Sequence, residues 1–430
     1  MARIRTLTMS GAALAIGLDA LSGRLRPRRR AGFGRRTGRR LRRAAIGCGP
    51  AFVKAAQLMS TRIDLLPAAV CAELGALHDR VPPIAPGELT ALLRAGLAAE
   101  PEAVFASFDT EPVGSGSIAC VYRAALADGT PVAVKIRRPG LPRRLAADLR
   151  VINRATRWAA RLPAFRGMPA VDIVGRISQE IGAQADFARE RESAVELARN
   201  LAGLDGVAVA RPVDGAEHGL DTRALAERGI LILHLVDVRG AAPTALAPEA
   251  ARRAAAAALH AAYAMIFVDG FVHCDLHPGN LYFSPEGTVT LVDAGFAHRM
   301  SDRSRRTFAE FFFRMGTGNA AKCAEILLTT VEVPDTLDLA GFRADIAALV
   351  RANVGLRSRD FSLLEFSKEL FEIQRRHALF ANPEFVFPLL ALLAMETSVK
   401  TAWPDTDFQE EAMPYLINVL FGRDLVPAAA

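Results

Sequence analysis

Apolar positions recur at helical spacing over most of this chain and alternate in a strand-like way in a few short stretches. Apolar residues three or four positions apart predict a helix, whereas strict alternation with β-branched residues predicts a strand. The helical stretches are Ala44–Met59, Pro67–Leu77, 144–202, 247–268 and 301 to the end. The strand-like stretches are 113–136, which turns at Asp128–Gly129 and so predicts a hairpin, 207–213, 229–238 and the TVTLVD segment at 288–293.

The order of these elements, strands among helices and then helices alone, predicts an α+β fold with two lobes. A small β-rich N-lobe comes first in this arrangement, and a larger helical C-lobe follows. We predict four segments: a basic N-terminal arm at 1–43, a helical extension at 44–105, the N-lobe with inserted helices at 106–238, and the C-lobe at 239–430.

Positive charge is concentrated in one stretch of the chain. The 430 residues carry a net charge of +7, but 24–43 contain eleven arginines and no acidic residue, so the rest is net negative. Such an arm can be a solvated, poorly ordered linker, or it can bind an anionic membrane surface at about 1 kcal/mol per basic residue. Nucleic acid is disfavoured as the partner, because only Phe33 interleaves with these arginines and no aromatic platform for stacked bases results.

The remaining composition predicts a cytoplasmic protein, soluble or peripheral at the inner face of the membrane. The five cysteines form no C-x-x-C pair, which disfavours a zinc site or a redox couple and fits a reducing compartment. The uncharged stretches 6–18, 254–268 and 385–395 are shorter than the roughly 20 residues that a spanning helix needs. We therefore predict no transmembrane segment.

The most specific chemical signal lies in the second half of the chain. Four residues separate Asp275 from Asn280, and twelve more separate Asn280 from Asp293, which ends the TVTLV strand. Phosphoryl transfer needs one carboxylate near the nucleophile, and an Asn with an Asp to hold magnesium on the phosphates. This spacing therefore predicts Asp275 as a catalytic residue and Asn280 and Asp293 as Mg²⁺ ligands.

A second signal predicts the residues that contact the phosphates of a nucleotide. The Gly-rich loop comprises Gly114, Ser115, Gly116 and Ser117. Glycines let the backbone approach phosphates closely, and Lys135 in the later VAVK strand supplies a point charge. The chain has five lysines against 48 arginines, so a lysine here indicates that a compact ammonium is required. We predict Glu190, in the helical stretch after Asp186, as the carboxylate that holds Lys135.

Beyond these motifs, the chain resembles the UbiB/AarF-type atypical kinases from about Gly49 to Leu420. The resemblance rests on several segments that are specific in combination. They are GPAFVKAAQLMSTRIDLLP (49–67), LGALHDRVPP (74–83), PVGSGSIACVYRA (112–124), VAVKIRRPG (132–140), the helix around Gln184–Asp186, GFVHCDLHPGN (270–280), LVDAG (291–295) and Met395–Glu396.

The resemblance implies a protein-kinase-like fold whose N-terminal helical extension lies over the active site. It also implies binding of ATP or ADP with Mg²⁺, a lipid or isoprenoid-like partner, and a role in quinone biosynthesis. Lys54 and Gln57 match the family's Lys-x-Gly-Gln signature on the extension, with Ala56 in place of its glycine. Asp186 matches the Glu-x-Asp signature, with Gln184 in place of its glutamate. The resemblance thus implies a regulatory role for Lys54, Gln57 and Asp186.

Two departures from protein kinases bear on the substrate. No Ala-Pro-Glu follows Asp293 within the next forty residues, so the platform that docks peptides is missing, and Cys274 replaces the arginine that reads activation-loop phosphorylation. We expect a lipid-like small molecule as substrate, or ATP hydrolysis that drives a conformational change. Two alternatives stay open: a phosphotransferase of the aminoglycoside or choline kinase type, and a non-catalytic nucleotide-binding scaffold, which Ala56 and Gln184 favour.

Overall fold

The computed structural model describes residues 33–48, 50–61, 66, 68–77, 82–161, 170–236, 246–355, 360–380 and 383–422. The helices in this part of the chain are α1 (Phe33–Cys48), α2 (Pro50–Thr61), α3 (Ala68–Gly75), α4 (Pro86–Leu97), α5 (Pro101–Val104), α6 (Leu141–Ala159), α7 (Ala170–Ala183), α8 (Phe187–Asn200), α9 (Thr222–Arg228), α10 (Pro248–Tyr263), α11 (Asp302–Gly316), α12 (Ala320–Thr329), α13 (Leu339–Asn353), α14 (Leu363–Arg376), α15 (Pro383–Ala402) and α16 (Phe408–Phe421). They include helices in every stretch for which helical spacing predicted them.

The strands are short and form small sheets. They are β1 (Phe105–Ser115), β2 (Ala119–Leu126), β3 (Pro131–Arg137), β4 (Val207–Val209), β5 (Ile230–His234), β6 (Phe271–His273), β7 (Leu281–Phe283), β8 (Val289–Leu291) and β9 (Ala297–Arg299). The strand orders in the sheets are β1-β2-β3-β5, β4-β8-β7 and β6-β9. Strands lie among helices in the first part, and the described chain after β9 contains helices and no strand, so the predicted α+β class is confirmed.

The hairpin predicted at 113–136 is only partly correct. Its turn is confirmed, since Gly129 adopts a φ of 90° and its N–H donates to Leu126 O at 2.8 Å between β2 and β3. The stretch predicted as the first strand is in fact interrupted between Ser115 and Ala119. There Gly116 N donates to Ala119 O at 2.9 Å, so the second half of the Gly-rich loop turns the chain from β1 into β2.

The described chain packs as two compact units. The first comprises Met1–Leu92, Thr110–Tyr122 and Ile136–Ala185, and the second comprises Leu93–Asp109, Arg123–Lys135 and Asp186–Ala430. The predicted segment boundaries came from motifs rather than from packing, and they stay a prediction.

Part of the arginine-rich stretch is helical in the first unit. A poorly ordered linker was one of the two alternatives left open for this arm, but α1 begins at Phe33 and packs on α3. The two helices approach closely, because a Cβ at Gly38 would lie 2.7 Å from Glu73 Cβ. Glu73 also lies 3.8 Å from Arg39 Nε and 3.9 Å from Arg42 Nη1. Close packing and a carboxylate near two arginines explain why this part is helical; residues 1–32 lie outside the described part of the chain.

An apolar cluster holds the helices of the first unit together. Leu145 and Leu149 of α6 meet Ile177 and Ile181 of α7 in the cluster, and Met59 of α2 packs against it. Each of these α6 and α7 side chains is at most 9% exposed. Helix α2, which contains two of the residues matching the family signature, is therefore anchored by burial of its apolar face.

The second unit is built around α10 and the helices that follow β9. Helix α10 continues as one turn of π-helix, Ala264–Asp269, and ends at Gly270 with a φ of 63°, directly before β6. The Phe308 ring of α11 lies 6.1 Å from Phe267 and 4.9 Å from Phe385 of α15. This aromatic core fixes the chain that enters the predicted catalytic segment.

Helix α15 extends beyond the uncharged stretch that the sequence contains in this region. Among the described residues, its Glu384–Ala402 segment is the one helix long and apolar enough to cross a membrane by length and composition alone. The helix also contains Glu396 and Lys400, whose Oε1 and Nζ atoms lie 2.9 Å apart. Of its most apolar window, 61% is buried inside the protein, and a core helix of a soluble protein passes the same test.

Candidate active site

Two short β-ladders position the residues of the Asp275-Asn280-Asp293 pattern. Strand β6 pairs antiparallel with β9, and β7 pairs antiparallel with β8. The second ladder continues one step further, because Val292 N donates to Asn280 O at 3.0 Å. Asn280 therefore precedes β7 at the point where Asp293 follows β8. Strand ends of this kind are rigid supports for functional side chains.

Buried hydrogen bonds hold the segment between β6 and β7. Asn280 Nδ2 donates to Asp275 O at 2.9 Å, and Asp275 N donates to His273 Nδ1 at 3.2 Å. His273 Nε2 lies 3.0 Å from Val292 O, which can only accept, so this nitrogen carries the proton. Burial lowers the pKa of His273, which is 1% exposed. A neutral imidazole thus links the Asp275 backbone to the strand that ends at Asp293.

Lys135 contacts two carboxylates of the predicted site. Glu190 was predicted to hold its ammonium, and Asp293 was predicted to bind magnesium. The Lys135 Nζ atom donates to Glu190 Oε1 at 2.7 Å and to Asp293 Oδ1 at 2.9 Å. The Lys135 and Glu190 side chains are 10% and 2% exposed, whereas the Asp293 side chain is 49% exposed. The Phe187 ring centroid lies 5.4 Å from the same ammonium. Contact between Lys135 and Glu190 agrees with the predicted pair, although their role in function stays a prediction.

The charges of this cluster do not balance. Burial lowers the pKa of Lys135, but the charges of Asp293 and Glu190 outweigh burial and raise it above its usual value, so the ammonium is retained. The pKa of Glu190 is raised to about 7, mainly by burial and also by the Asp293 charge, against the opposing effect of Lys135. Among the described residues, the buried Glu190 Oε2 has no hydrogen-bond partner. One ammonium therefore faces two carboxylates, one of them incompletely satisfied.

The backbone at Asp293 has a conformation that is uncommon outside glycine. Asp293 adopts a φ of 57°, and its Oδ1 accepts from Gly295 N at 3.4 Å. A Cβ at Gly295 would lie 3.1 Å from Asp293 Oδ1 and 3.3 Å from Glu190 Oε2. Left-handed non-glycine residues often mark functional sites. The glycine of LVDAG thus leaves room for the two carboxylates.

Glu190 is presented by α8, whose N-cap is Asp186. The Asp186 carboxylate accepts from Ala188 N at 3.1 Å and from Arg189 N at 3.2 Å. Caps of this kind satisfy amides that lack a partner in the first helical turn. The structure thus gives Asp186 a local structural role, and the regulatory role implied by the resemblance stays a prediction.

The side-chain chemistry of the cluster fits a magnesium ion. Asp293 offers a half-exposed carboxylate, Asn280 offers an amide oxygen, and the excess negative charge favours a cation. Magnesium sites in nucleotide enzymes use one or two carboxylates and complete their coordination with phosphates and water. Within the described ranges, no group of three or more His, Cys, Asp or Glu residues could hold a metal by itself.

The Gly-rich loop belongs to the first unit and has its own contacts there. Ser115 Oγ lies 3.4 Å from Cys120 Sγ, and Ser117 is 4% exposed. A Cβ at Gly114 would meet nothing within 4 Å, so that position is open. Nucleotide contact stays a prediction for Gly114, Ser115, Gly116 and Ser117.

The signature residues of the extension are only partly described. Lys54 lies on α2, but its side chain is outside the described part of the structure. Gln57 Nε2 donates to Leu77 O at 3.2 Å, while its buried Oε1 has no partner in the described part of the chain. Gln184, which replaces the family's glutamate, is 6% exposed, and its Nε2 has no partner among the described residues either.

Our sequence reasoning missed His273 as a positioning residue. It precedes Asp275 by two positions, which is the spacing of the His-x-Asp segment in kinase catalytic loops. The His-x-Asp spacing could have identified His273, but a histidine in an apolar strand is also typical of an ordinary core residue.

The fold and the site together define a protein-kinase-like class, and comparison with known proteins identifies the family. Residues 76–327 match the ABC1 atypical kinase-like domain, so the chain belongs to the ABC1 atypical kinase-like family. It is similar to proteins named "Probable protein kinase UbiB" from Pseudomonas putida and Pseudomonas entomophila. Each is 30% identical over 409 residues, covering 88% of this chain and 70% of the relative. The suspected UbiB/AarF-type resemblance is confirmed.

A solved structure supports the same fold. Rv3197 from Mycobacterium tuberculosis, solved as a complex with erythromycin, superposes with a TM-score of 0.55 at 16% sequence identity. The match covers 80% of this chain and 85% of that protein. At this identity the likeness concerns the fold alone.

Proposed function

We propose that this protein binds ATP or ADP with magnesium and uses the nucleotide in ATP hydrolysis or phosphoryl transfer. The observation that carries the proposal is the bonding of Lys135 Nζ to both Glu190 and Asp293, close along the chain to the Asn280–Asp275 hydrogen bond. A buried lysine held by a helical carboxylate, with an Asp after a strand and an Asn in a clamped loop, is the set that phosphoryl transfer requires.

Each residue has a distinct task in this proposal. Lys135 contacts the nucleotide phosphates, and Glu190 keeps its ammonium in place. Asp293 and Asn280 hold Mg²⁺, which when bound neutralises phosphate charge and orients the phosphates. Asp275 accepts the proton of a hydroxyl or of water. The loop at Gly114, Ser115, Gly116 and Ser117 contributes backbone contacts to the phosphates.

On the substrate side we propose a lipid or isoprenoid-like molecule and a role in quinone biosynthesis. Support comes from the relatives named UbiB and from the chain after Asp293, which passes through β9 into α11 with Ser301 as its N-cap. That path leaves little chain for a peptide-docking platform. Cys274 is 7% exposed, so a thiol buried there does not replace the arginine that reads a phosphorylated loop.

A nucleotide-binding scaffold without catalysis is the second candidate. The buried Gln184, whose Nε2 atom has no partner, favours it, because the signature carboxylate at this position is replaced by a neutral amide. The two candidates share the nucleotide site and differ only in whether phosphate is transferred.

Nucleotide binding is tested by thermal unfolding with Mg-ATP and Mg-ADP. We expect a rise in Tm with the parent protein and a smaller rise with Asp293→Asn, because the variant lacks a metal-binding carboxylate. Asp335→Asn removes an exposed carboxylate elsewhere and should match the parent. If nucleotide leaves the parent Tm unchanged, the proposed site is wrong.

Catalysis is tested separately by phosphate release and by transfer from labelled ATP to a lipid extract. We expect release above background that Asp275→Asn abolishes while Mg-ATP binding is retained. If the protein binds nucleotide but releases phosphate only at the background rate, with and without anionic liposomes, then only the scaffold function remains.

We also propose that the Arg-rich arm contacts an anionic membrane surface. Since α1 starts at Phe33, the test should spare it and change only the arginines at 24–30 to glutamine. This variant should sediment less with anionic vesicles at low salt, because each lost charge removes about 1 kcal/mol. A control that changes the exposed Arg223 and Arg228 of α9 should sediment like the parent; equal sedimentation of all three proteins would contradict the role of the arm.

A further inference from the structure

Arg138 makes several contacts with the Gly-rich loop of the first unit. Its Nε donates to Gly116 O at 2.7 Å, and its Nη2 donates to Ser115 Oγ at 3.0 Å. The same Nη2 atom donates to Pro82 O at 2.9 Å. One guanidinium therefore bonds a backbone atom of the loop, a side chain of the loop, and the chain that follows α3.

The base of the Arg138 side chain is itself fixed. Arg138 N donates to Ile118 O at 2.9 Å, so the backbone on which the guanidinium stands is tied to the residue that follows the loop. Arginine presents its donors as a rigid planar fork, which allows it to hold two acceptors in a defined geometry. Lysine has a compact ammonium and cannot reproduce this arrangement.

Part of the loop is open to solvent. Gly114 is surrounded by open space at the position of a Cβ, and Gly114, Ser115 and Gly116 are all partly exposed. Glycines and serines impose little conformational preference of their own. A charge-assisted hydrogen bond is roughly twice as strong as a neutral one, so the two Arg138 bonds add a strong restraint to this loop.

We propose that Arg138 is the positioning residue of the Gly-rich loop and that it links the loop to Pro82, within the predicted helical extension. The inference rests on the proposed nucleotide function, because it assigns Arg138 a role in ordering the loop before nucleotide binds. Arg138 acts through Gly116 and Ser115 rather than by touching the nucleotide. A loop ordered in advance binds with a smaller loss of conformational entropy.

The first part of the test measures loop order without nucleotide. Hydrogen–deuterium exchange of the backbone amides of 113–119 should be at least severalfold faster in Arg138→Gln than in the parent. Arg138→Lys, which keeps the charge but loses the fork, should show an intermediate increase. Arg143→Gln removes an exposed arginine of α6 and should exchange like the parent.

The second part measures Mg-ATP affinity and turnover. Arg138→Gln should raise the apparent Kd and the KM for ATP about three- to tenfold, which corresponds to the loss of one or two hydrogen bonds, while kcat stays within about twofold. Ser115→Ala, which removes only the hydroxyl acceptor, should increase loop exchange less than Arg138→Gln does. Exchange elsewhere in the first unit should not change.

The outcomes separate this inference from the proposed function. Unchanged loop exchange in Arg138→Gln overturns the inference, even if the parent binds Mg-ATP. Faster exchange throughout the first unit also overturns it, because Arg138 would then support the unit as a whole. Faster exchange confined to the loop, in a parent that does not bind Mg-ATP, supports the positioning role and contradicts the nucleotide site.

Discussion

Lys135 and Glu190 form a buried ion pair, so the free energy of unfolding depends on both residues being present. Lys135→Met leaves Glu190 buried without a cation and should cost about 3 kcal/mol at pH 8, since removing one partner of a buried pair is more destabilising than removing both. The double variant with Glu190→Gln should recover much of this loss. Urea unfolding of the parent, the two single variants and the double variant measures this loss and its recovery in the free energy of unfolding.

Acid should reduce the cost of the Lys135→Met variant. The pKa of Glu190 is already raised to about 7 by burial, so at pH 5 a Glu190 without its lysine is protonated and no longer a buried charge. A Lys135→Met variant that is as stable as the parent at pH 8, or a double variant no more stable than the single, would contradict this account.

His273 should make stability depend on pH. Its pKa in the folded protein is lowered by burial, so below the ordinary value of about 6.5 the unfolded chain binds a proton that the folded protein does not. The stabilisation present above pH 6.5 is therefore lost as the pH falls from 6.5 toward the lower folded value. His273→Gln should flatten this part of the urea-unfolding profile.

The exposed His234 provides a matched control for His273. His234→Gln should leave the slope of stability against pH between 7.5 and 5.5 unchanged. Equal slopes for the parent, His234→Gln and His273→Gln would mean that His273 is not the group responsible.

At the scale of elements, the N-cap of α8 connects local sequence to the site. Asp186→Ala should destabilise the protein by about 1 kcal/mol, because Ala188 N and Arg189 N lose their acceptor. Asp186→Asn keeps an acceptor oxygen and should retain most of the stability. Chemical unfolding of the two variants measures the cap.

The same two variants test the regulatory role implied for Asp186. If Asp186 acts only as a cap, Asp186→Asn should match the parent in its response to Mg-ATP. An Asp186→Asn protein of parental stability but with altered nucleotide affinity would instead point to a function of the charge beyond the cap.

At the scale of the whole molecule, buried thiols provide a measure of global unfolding. The buried cysteines that the structure describes are Cys71, Cys120, Cys274 and Cys323. In a Cys48→Ser background they should react slowly with a thiol reagent under native conditions and rapidly in denaturant. Burial raises the pKa of Cys323 to about 12, which further suppresses its reactive thiolate.

Labelling each thiol separately shows how cooperative the two units are. If opening is global, the four thiols should be labelled with similar native-state protection; much faster labelling of one in the native protein would identify a region that opens on its own. Thermal stability should not change when a reductant is added, because none of these four described cysteines forms a disulfide. A drop in Tm with reductant would contradict this assignment.

The sequence by itself determined which residues form the candidate site and where the helices lie. Spacing selected Lys135, Asp275, Asn280 and Asp293, and helical periodicity located helices in every predicted stretch, because both signals are local to the chain. Glu190 was chosen among several acids by the same kind of argument. Its contact with Lys135 agrees with that choice, and the functions assigned to the site residues stay predictions.

Tertiary structure decided the features that depend on neighbours distant in sequence. Burial made His273 a neutral clamp and raised the pKa of Glu190, and neither effect is visible without the surrounding atoms. The close packing at Gly38 stabilises part of the arginine-rich stretch as α1. The role inferred for the Arg138 guanidinium depends on folding, because folding brings Pro82 and Gly116 to its donors. Hydrogen-bond partners far apart in the chain are set by packing.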